Sequence, residues 1–255
     1  MILSDDVYGT FVEGYRSLAA DLPYNAASCY SFSKYFGATG CRIAVTAVSE
    51  KNIFDDLIAR LPRAKKDILN TRYQSLTLDV PGLKFIDRMV AESRLIALNH
   101  TAGLSTPQQI LMSLMSIGSL MDTDDTYHKR MINIIHSRYE ALWKNFGFEM
   151  PADSLRADYY SEIDMLVWAK KLHGQEFADY IVRTYSPLAF VFRLASEYGC
   201  VVLNGDGFAG PLWSIRVSLA NLNEGDYVRL GKDIRLVLEQ FATDWQKSKA
   251  GATTK

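Results

Sequence analysis

The sequence predicts an α/β domain followed by a smaller α+β domain. Two segments rich in β-branched and aromatic residues, Val7–Phe11 and Ile43–Val48, lie beside polar or glycine-containing turns and are predicted strands. Helical periodicity follows them, and short strand-like segments return among helices in the last hundred residues. A chain of 255 residues with 48% hydrophobic residues is long enough to bury one large core and one small one.

The composition argues against several functional classes. The formal net charge is −1 and both signs are spread along the chain, so we expect neither a nucleic-acid partner nor a membrane surface. The three cysteines lack CxxC spacing and the four histidines lack i, i+4 spacing, so no metal site is expected. The first residues do not have the pattern of an export signal, which favours a cytoplasmic protein with reduced thiols.

Apolar residues at helical spacing predict helices over about 50–61, 85–98, 106–121, 126–146 and 227–245. Thr106 is expected to cap the third of these, with Pro107 at its first position. The apolar stretch Ile110–Met121 is too short to cross a membrane and is interpreted as a buried or subunit-facing helix.

The second half contains four predicted strands, at Tyr159–Met165, Phe190–Leu194, Val201–Leu203 and Ile215–Leu219. The glycine-rich run at 205–210 lacks a P-loop lysine and is interpreted as a turn before the last strand. The predicted division is part of a large domain at 1–95, long interdomain or subunit-facing helices at 96–145, a small domain at 146–248 and a disordered tail at 249–255.

Four features occur in an informative order: Asp5 three residues before Tyr8, the run Ser31-Phe32-Ser33-Lys34, Arg42 after two glycines, and Arg216 in a predicted strand. Each one alone is more typical of a turn, a surface residue or, for Tyr8, the core. Together they resemble the fold-type I pyridoxal-phosphate enzymes of the aspartate aminotransferase group. The resemblance implies a partial large α/β domain, with its strands around the cofactor lysine, and a smaller α+β domain.

The resemblance also implies a role for each residue. The cofactor aldehyde needs an amine, its pyridine nitrogen an anion and its phosphate several donors. Lys34 would hold pyridoxal 5'-phosphate covalently and then carry protons. The remaining cofactor contacts would come from Asp5 at the pyridine nitrogen, Tyr8 at the phenolic oxygen, and Ser31, Ser33 and Arg42 at the phosphate. Arg216 would bind the substrate α-carboxylate with a bidentate guanidinium.

Four segments extend the likeness to bacterial aspartate 4-decarboxylases: Asp5–Phe11, Tyr30–Gly40, Leu98–Gln109 and Arg216–Glu224. That likeness implies conversion of L-aspartate to L-alanine and carbon dioxide, an aminotransferase side reaction that uses a 2-oxo acid, and a homo-oligomer. It covers roughly the second half of such enzymes. Their upstream part supplies the aromatic ring that stacks on the cofactor and further phosphate donors.

Several alternatives stay open from the sequence. The chain could be an aspartate aminotransferase, or a non-catalytic or partner-dependent module, because an absent half would expose an apolar sheet edge. Cys41 stands before Arg42 where a tryptophan is expected in the relatives, which predicts altered packing beside the phosphate loop. The segment His100–Gln109 either reaches a neighbouring subunit's site or is a loop that enters a helix.

Overall fold

The computed structural model describes residues 1–96, 103–150 and 153–252. The chain divides into two compact units, Met1–His128 and Lys129–Lys255. Within the described ranges, none of the helices combines the length and apolar character needed to cross a membrane. The division into four segments proposed from the sequence stays a prediction.

The first unit contains a three-stranded sheet with the order β1-β2-β3. Its strands are β1 (Ile2–Asp5), β2 (Ala26–Ser31) and β3 (Ala44–Val48). β1 runs parallel to β2 with Asp5 opposite Cys29, and β3 runs antiparallel to β2 with Ala44 opposite Ser31. The ends of β1 and β2 and the start of β3 therefore meet at one edge, which we call the site edge.

Helices lie between and after these strands along the chain, which confirms the predicted α/β character. They are α1 (Leu18–Asp21), α2 (Phe32–Tyr35), α3 (Ile53–Ala59), α4 (Arg63–Tyr73), α5 (Phe85–Ile96) and α6 (Thr106–Met121). The next helix, α7 (Thr126–Phe146), begins in this unit, and most of its residues belong to the second. The helices predicted near 50–61, 85–98 and 126–146 are confirmed, although Leu98 lies outside the described residues. The basic stretch that begins at Arg63 is the first turn of α4, a helix the periodicity did not predict.

The predicted strand at Val7–Phe11 is wrong, because the first strand ends earlier, at Asp5. The Asp5 carboxylate accepts a hydrogen bond from the Val7 amide at 3.2 Å, and a 3-10 turn then covers Gly9–Phe11. A side chain that bonds the backbone two residues ahead favours a turn over an extended strand. Tyr8 therefore lies in a turn beyond the sheet.

The start of α6 also differs from the prediction, because Ser105 rather than Thr106 is its cap. The Ser105 hydroxyl accepts from the Gln108 amide while the Gln108 side chain accepts from the Ser105 amide, which forms a capping box. Thr106 and Pro107 occupy the first two helical positions. α6 is not buried, since Ile110 and Leu120 are 54% and 83% exposed. A subunit-facing role stays a prediction.

The second unit has an antiparallel sheet with the order β4-β6-β5. Its elements are β4 (Tyr160–Asp164), α8 (Met165–His173), α9 (Gln175–Thr184), α10 (Ala189–Tyr198), β5 (Leu203–Asn204), β6 (Ser214–Ser218) and α11 (Glu224–Ala252). Three of the four predicted strands are confirmed with small shifts. The disordered tail is wrong for 249–252, which continue α11, and 253–255 lie outside the described residues.

The fourth predicted strand, Phe190–Leu194, is helical because its burial follows a helix period. Phe190 and Leu194, four residues apart, are each 1% exposed, whereas Phe192 between them is 65% exposed. A strand would place all three side chains on one face. The Phe190 ring packs against Phe241 of α11 with centroids 4.5 Å apart, so this face of α10 belongs to the core.

These two phenylalanines provide a matched test of the second unit's core. We expect Phe190→Ala to cost about 3–5 kcal/mol of unfolding free energy, because it removes a buried ring and leaves a cavity. Phe192→Ala on the same helix should cost less than about 1 kcal/mol. Urea unfolding followed by tryptophan fluorescence measures both changes. Equal losses from the two variants would contradict the assigned helix face.

Candidate active site

The site edge gathers residues that are far apart in the sequence. Asp5 is the last residue of β1, Lys34 lies three residues beyond the end of β2, and Arg42 lies two residues before β3. The parallel pairing of β1 with β2 and the antiparallel return of β3 bring all three to the same side of the sheet. The register, rather than any local motif, therefore assembles this group.

Lys34 is presented by a short helix that begins directly after β2. Ser31 caps this helix, because its hydroxyl accepts from the Ser33 amide at 3.2 Å. The Lys34 ammonium nitrogen lies 6.0 Å from the centroid of the Tyr8 ring, and both side chains are partly buried. Two residues given roles at one cofactor thus lie side by side.

The loop between α2 and β3 carries Arg42 in a left-handed conformation, with φ at 54°. The Arg42 Nη1 donates to the Thr39 carbonyl oxygen at 3.1 Å, and the Thr39 hydroxyl donates to the Ser33 carbonyl oxygen at 3.0 Å. The guanidinium is exposed at the site edge, whereas the Ser33 side chain is buried. Ser31 and Arg42 are therefore the more accessible of the three predicted phosphate donors.

A contact from α6 supports the same loop. The Gln108 side-chain amide donates to the Cys41 carbonyl oxygen at 2.8 Å, one residue before Arg42. The partly buried Cys41 packs on a cluster formed by Phe32, Ala38 and Ile43. Gln108 belongs to the segment whose role the sequence left open, and in this structure it holds the loop that presents Arg42.

The donor set at the site edge matches the chemistry of pyridoxal phosphate. Lys34 supplies an amine, Asp5 a carboxylate and Tyr8 a phenol, while the hydroxyl of Ser31 and the guanidinium of Arg42 suit a phosphate. Asp5 is exposed at the edge, so its carboxylate is accessible to a ligand. The assignment of each residue to one atom of the cofactor stays a prediction.

A buried carboxylate that the sequence analysis did not single out lies directly behind this group. Asp6 is 8% exposed and accepts hydrogen bonds from four hydroxyl groups. The donors are Ser4, Tyr15 and Ser17, each at 2.6 Å, and Ser28. Burial alone would raise the pKa of Asp6, but the hydrogen bonds from Ser17, Ser28, Ser4 and Tyr15 outweigh it and lower that pKa to about 2.

No sequence motif predicts this arrangement of four hydroxyl donors around Asp6. The outermost donors, Ser4 and Ser28, are 24 positions apart in the sequence, and they meet because Ser4 lies opposite Ser28 in the parallel register. The adjacent pair Asp5-Asp6 was visible, yet only the alternation of exposed and buried positions along β1 shows that the second carboxylate faces inward.

Arg216 lies in the second unit, on β6, with Glu162 of β4 opposite it. Its guanidinium carbon lies 3.9 Å from the Tyr160 ring centroid and 4.0 Å from the Phe208 ring centroid. Among the residues that the structure describes, none forms a salt bridge or hydrogen bond with this guanidinium. Two aromatic faces thus hold the planar group while its N–H donors stay available for a carboxylate.

The protonation of Asp6 predicts a specific pH dependence. Because its folded-state pKa is depressed from 3.8 to about 2, its contribution to stability is complete above about pH 4 and is lost as the pH falls to about 2. We expect Asp6→Asn to flatten this part of the profile. The exposed-site control Asp56→Asn should leave it in place. Chemical unfolding at several pH values measures the effect, and an unchanged Asp6→Asn profile would contradict the assignment.

Comparison with known proteins gives consistent matches. The family model for aminotransferase class I and II matches residues 1–234. A bifunctional aspartate aminotransferase and L-aspartate beta-decarboxylase from Pseudomonas sp is 44% identical over 241 residues, which are 94% of this chain and 45% of that protein. The chain thus spans about half the length of this relative.

Solved structures agree on the fold. An aromatic aminotransferase from Pyrococcus horikoshii OT3 matches with a TM-score of 0.59 and 17% identity, over 94% of this chain and 51% of that one. A methionine aminotransferase from Escherichia coli matches with a TM-score of 0.55 and 16% identity, over 92% and 49%. These matches confirm the expected fold-type I architecture. The chain belongs to the aminotransferase class I and II family, whose cofactor is pyridoxal 5'-phosphate.

Proposed function

We propose that the protein is a pyridoxal-phosphate-dependent aspartate 4-decarboxylase with an aminotransferase side activity. The observation that carries this proposal is the position of the Lys34 amine, 6.0 Å from the Tyr8 ring at an edge that also presents Asp5 and Arg42. The similarity to the bifunctional Pseudomonas enzyme supports aspartate as the substrate. In this reaction L-aspartate loses its β-carboxyl group as carbon dioxide and gives L-alanine.

When bound, pyridoxal phosphate supplies a ring that accepts an electron pair released at the substrate α-carbon. Lys34 would hold the cofactor through its amine and would move a proton at the substrate α-carbon. Asp5 would present its carboxylate to the pyridine nitrogen and favour the protonated ring. Tyr8 would donate a hydrogen bond to the phenolic oxygen. The nearness of Lys34 to Tyr8 supports their action on neighbouring atoms of one ligand.

The phosphate group is assigned to Ser31, Ser33 and Arg42. Arg42 provides charge-assisted hydrogen bonds, and its position after a glycine-containing turn leaves the guanidinium exposed at the site edge. The Ser31 hydroxyl caps α2 as an acceptor and donates to the Ile43 carbonyl oxygen at 3.5 Å, a long bond that a phosphate oxygen would replace. The Ser33 side chain is buried, so it is less accessible to a phosphate than Ser31 and Arg42. The clearer contribution of Ser33 is its backbone position within α2.

Arg216 is assigned to the α-carboxylate of the substrate. Its guanidinium is flanked by the rings of Tyr160 and Phe208, which restrict rotation and leave a planar donor edge for two carboxylate oxygens. A fixed carboxylate fixes the orientation of the α-carbon, which is the atom that exchanges a proton with Lys34. A lysine at position 216 would provide a point charge without this orientation.

Three further expectations belong to this proposal. The enzyme would supply L-alanine for biosynthesis, act in the cytoplasm and form a homo-oligomer. The three free cysteines in the described structure suit a reducing compartment. The exposed apolar residues of α6, including Ile110, Leu114 and Leu120, suit a surface that a second subunit covers.

The products distinguish the decarboxylase from an aspartate aminotransferase. We expect purified protein with pyridoxal phosphate and L-aspartate to release alanine and carbon dioxide in equal amounts. Addition of 2-oxoglutarate should yield a smaller amount of glutamate. Amino-acid analysis and carbon dioxide release measure the two outcomes. Glutamate without alanine would exclude the decarboxylase and leave the aminotransferase.

Replacement of Lys34 tests whether the chain is catalytic or an inert module. Wild-type protein mixed with pyridoxal phosphate should acquire the visible absorbance of a cofactor joined to a lysine amine. Lys34→Ala should abolish that absorbance and lower the rate by at least about 10³-fold, because it removes both the attachment and the proton carrier. The exposed-site control Lys51→Ala should match the wild type. Absence of absorbance from the wild type would favour the inert module.

A further inference from the structure

The buried Asp6 carboxylate connects four parts of the first unit. Ser4 belongs to β1 and Ser28 to β2. Ser17 caps α1, and Tyr15 lies in the segment that joins β1 to α1. All four hydroxyls donate to the two oxygens of Asp6. Four donors approach the capacity of a carboxylate, which accepts at about four lone-pair positions. Asp6 is therefore saturated by protein groups and has little capacity left for a ligand.

The backbone of Asp6 is held as firmly as its side chain. Its amide donates to the Cys29 carbonyl oxygen at 2.9 Å, and its own carbonyl oxygen accepts from the Gly9 amide at 3.1 Å. The two neighbours given cofactor roles, Asp5 and Tyr8, stand on either side of these bonds. A shift of Asp6 would thus move both, because Asp5 shares a peptide bond with it and the bond from Gly9 to Asp6 closes the turn that carries Tyr8.

Tyr15 closes the arrangement from the opposite side of the turn. Its hydroxyl donates to Asp6 at 2.6 Å, and its ring lies against Gly9, where any added side chain would overlap it. Gly9 is the residue directly after Tyr8 and opens the 3-10 turn. The Tyr15 side chain therefore contacts the turn at both its ends, one by a hydrogen bond and the other by packing.

We propose that Asp6 is a positioning residue that acts with Tyr15 to fix the turn carrying Asp5 and Tyr8. This inference rests on the proposed function, since it assigns a purpose to the turn only if Asp5 and Tyr8 contact the cofactor. The ionisable groups beside Asp6 include Asp5, its neighbour in the chain, and Tyr15, which donates a hydrogen bond to it. A negative charge held behind Asp5 also adds to the potential that favours a protonated pyridine ring.

Two variants test the inference, each with a matched control. Tyr15→Phe removes one hydroxyl donor and keeps the ring on Gly9, while Asp6→Asn removes the charge and keeps the size. Their controls are Tyr24→Phe and Asp56→Asn, because the Tyr24 hydroxyl donates to Asp56 at 2.6 Å. Tyr24 lies just before β2, at the end of that strand opposite to Lys34, so the control pair has the same chemistry away from the site edge.

The first readout needs no cofactor. Hydrogen exchange should quicken roughly tenfold at the Gly9 and Phe11 amides in Tyr15→Phe, the effect of losing one net hydrogen bond. Amides of β3 should keep their rates, and the control variants should leave both groups unchanged. Exchange at Gly9 and Phe11 that equals the control values in folded Tyr15→Phe would overturn the inference. Should Asp6→Asn fail to fold, Tyr15→Phe decides.

The second readout uses pyridoxal phosphate. We expect both site variants to weaken its binding roughly tenfold and to shift the visible absorbance of the bound form, whereas the controls should do neither. A purely structural role would lower the unfolding midpoint without changing the spectrum, and that result would overturn the inference. If the wild type binds no pyridoxal phosphate, the proposed function fails, and the exchange comparison still decides whether Asp6 and Tyr15 hold the turn.

Discussion

The parallel pairing of β1 with β2 is the constraint on which the candidate site depends. Asp5 opposite Cys29 sets where β1 ends, and the chain turns there to present Tyr8. β2 continues two residues further to Ser31, and α2 then carries Lys34 back toward that turn. A slip of one residue in this register would exchange the inward and outward faces of β1 and expose the carboxylate of Asp6 in place of Asp5.

The two arginines given ligand roles are held by different physical means. Arg42 is fixed through its backbone and by hydrogen bonds in a loop that Gln108 supports from α6. Arg216 is fixed by stacking between two rings on a regular strand. An arginine in a loop suits a phosphate that remains bound throughout the reaction, because the loop can adjust to the bound group. A stacked arginine suits a substrate that enters and leaves, because the guanidinium keeps its plane in the absence of a ligand.

Much of the fold was predictable because its signals are local. The 3.6-residue period of α7 gave its bounds from the sequence, and β-branched residues marked β3. The prediction of a strand at Phe190–Leu194 was wrong because it gave the apolar composition of these five residues more weight than their periodicity. The strand β1 was displaced since the turn-forming bond of Asp5 to Val7 outweighs the apolar run that follows.

The site divides in the same way. The family resemblance that predicted the site rests on the spacing of four residues, Asp5, Tyr8, Lys34 and Arg42. The strand register of the first sheet brings them to one edge. Asp6 and Gln108 went unassigned because their partners are distant in sequence. Ser28 is 22 residues from Asp6, and Cys41 is 67 residues from Gln108. Contacts of this kind depend on the assembled sheet, so pattern alone does not reveal them.

The left-handed backbone of Arg42 sets stability against activity in this loop. A residue with a β-carbon held at φ 54° costs about 1 kcal/mol that glycine would not. The backbone would therefore be relieved by glycine at this position, and that gain is opposed by the hydrogen bond from Arg42 to Thr39 and by any requirement for the guanidinium. Laboratory selection for thermal stability alone would be expected to erode the charge at position 42, whereas selection that includes anion binding would retain it.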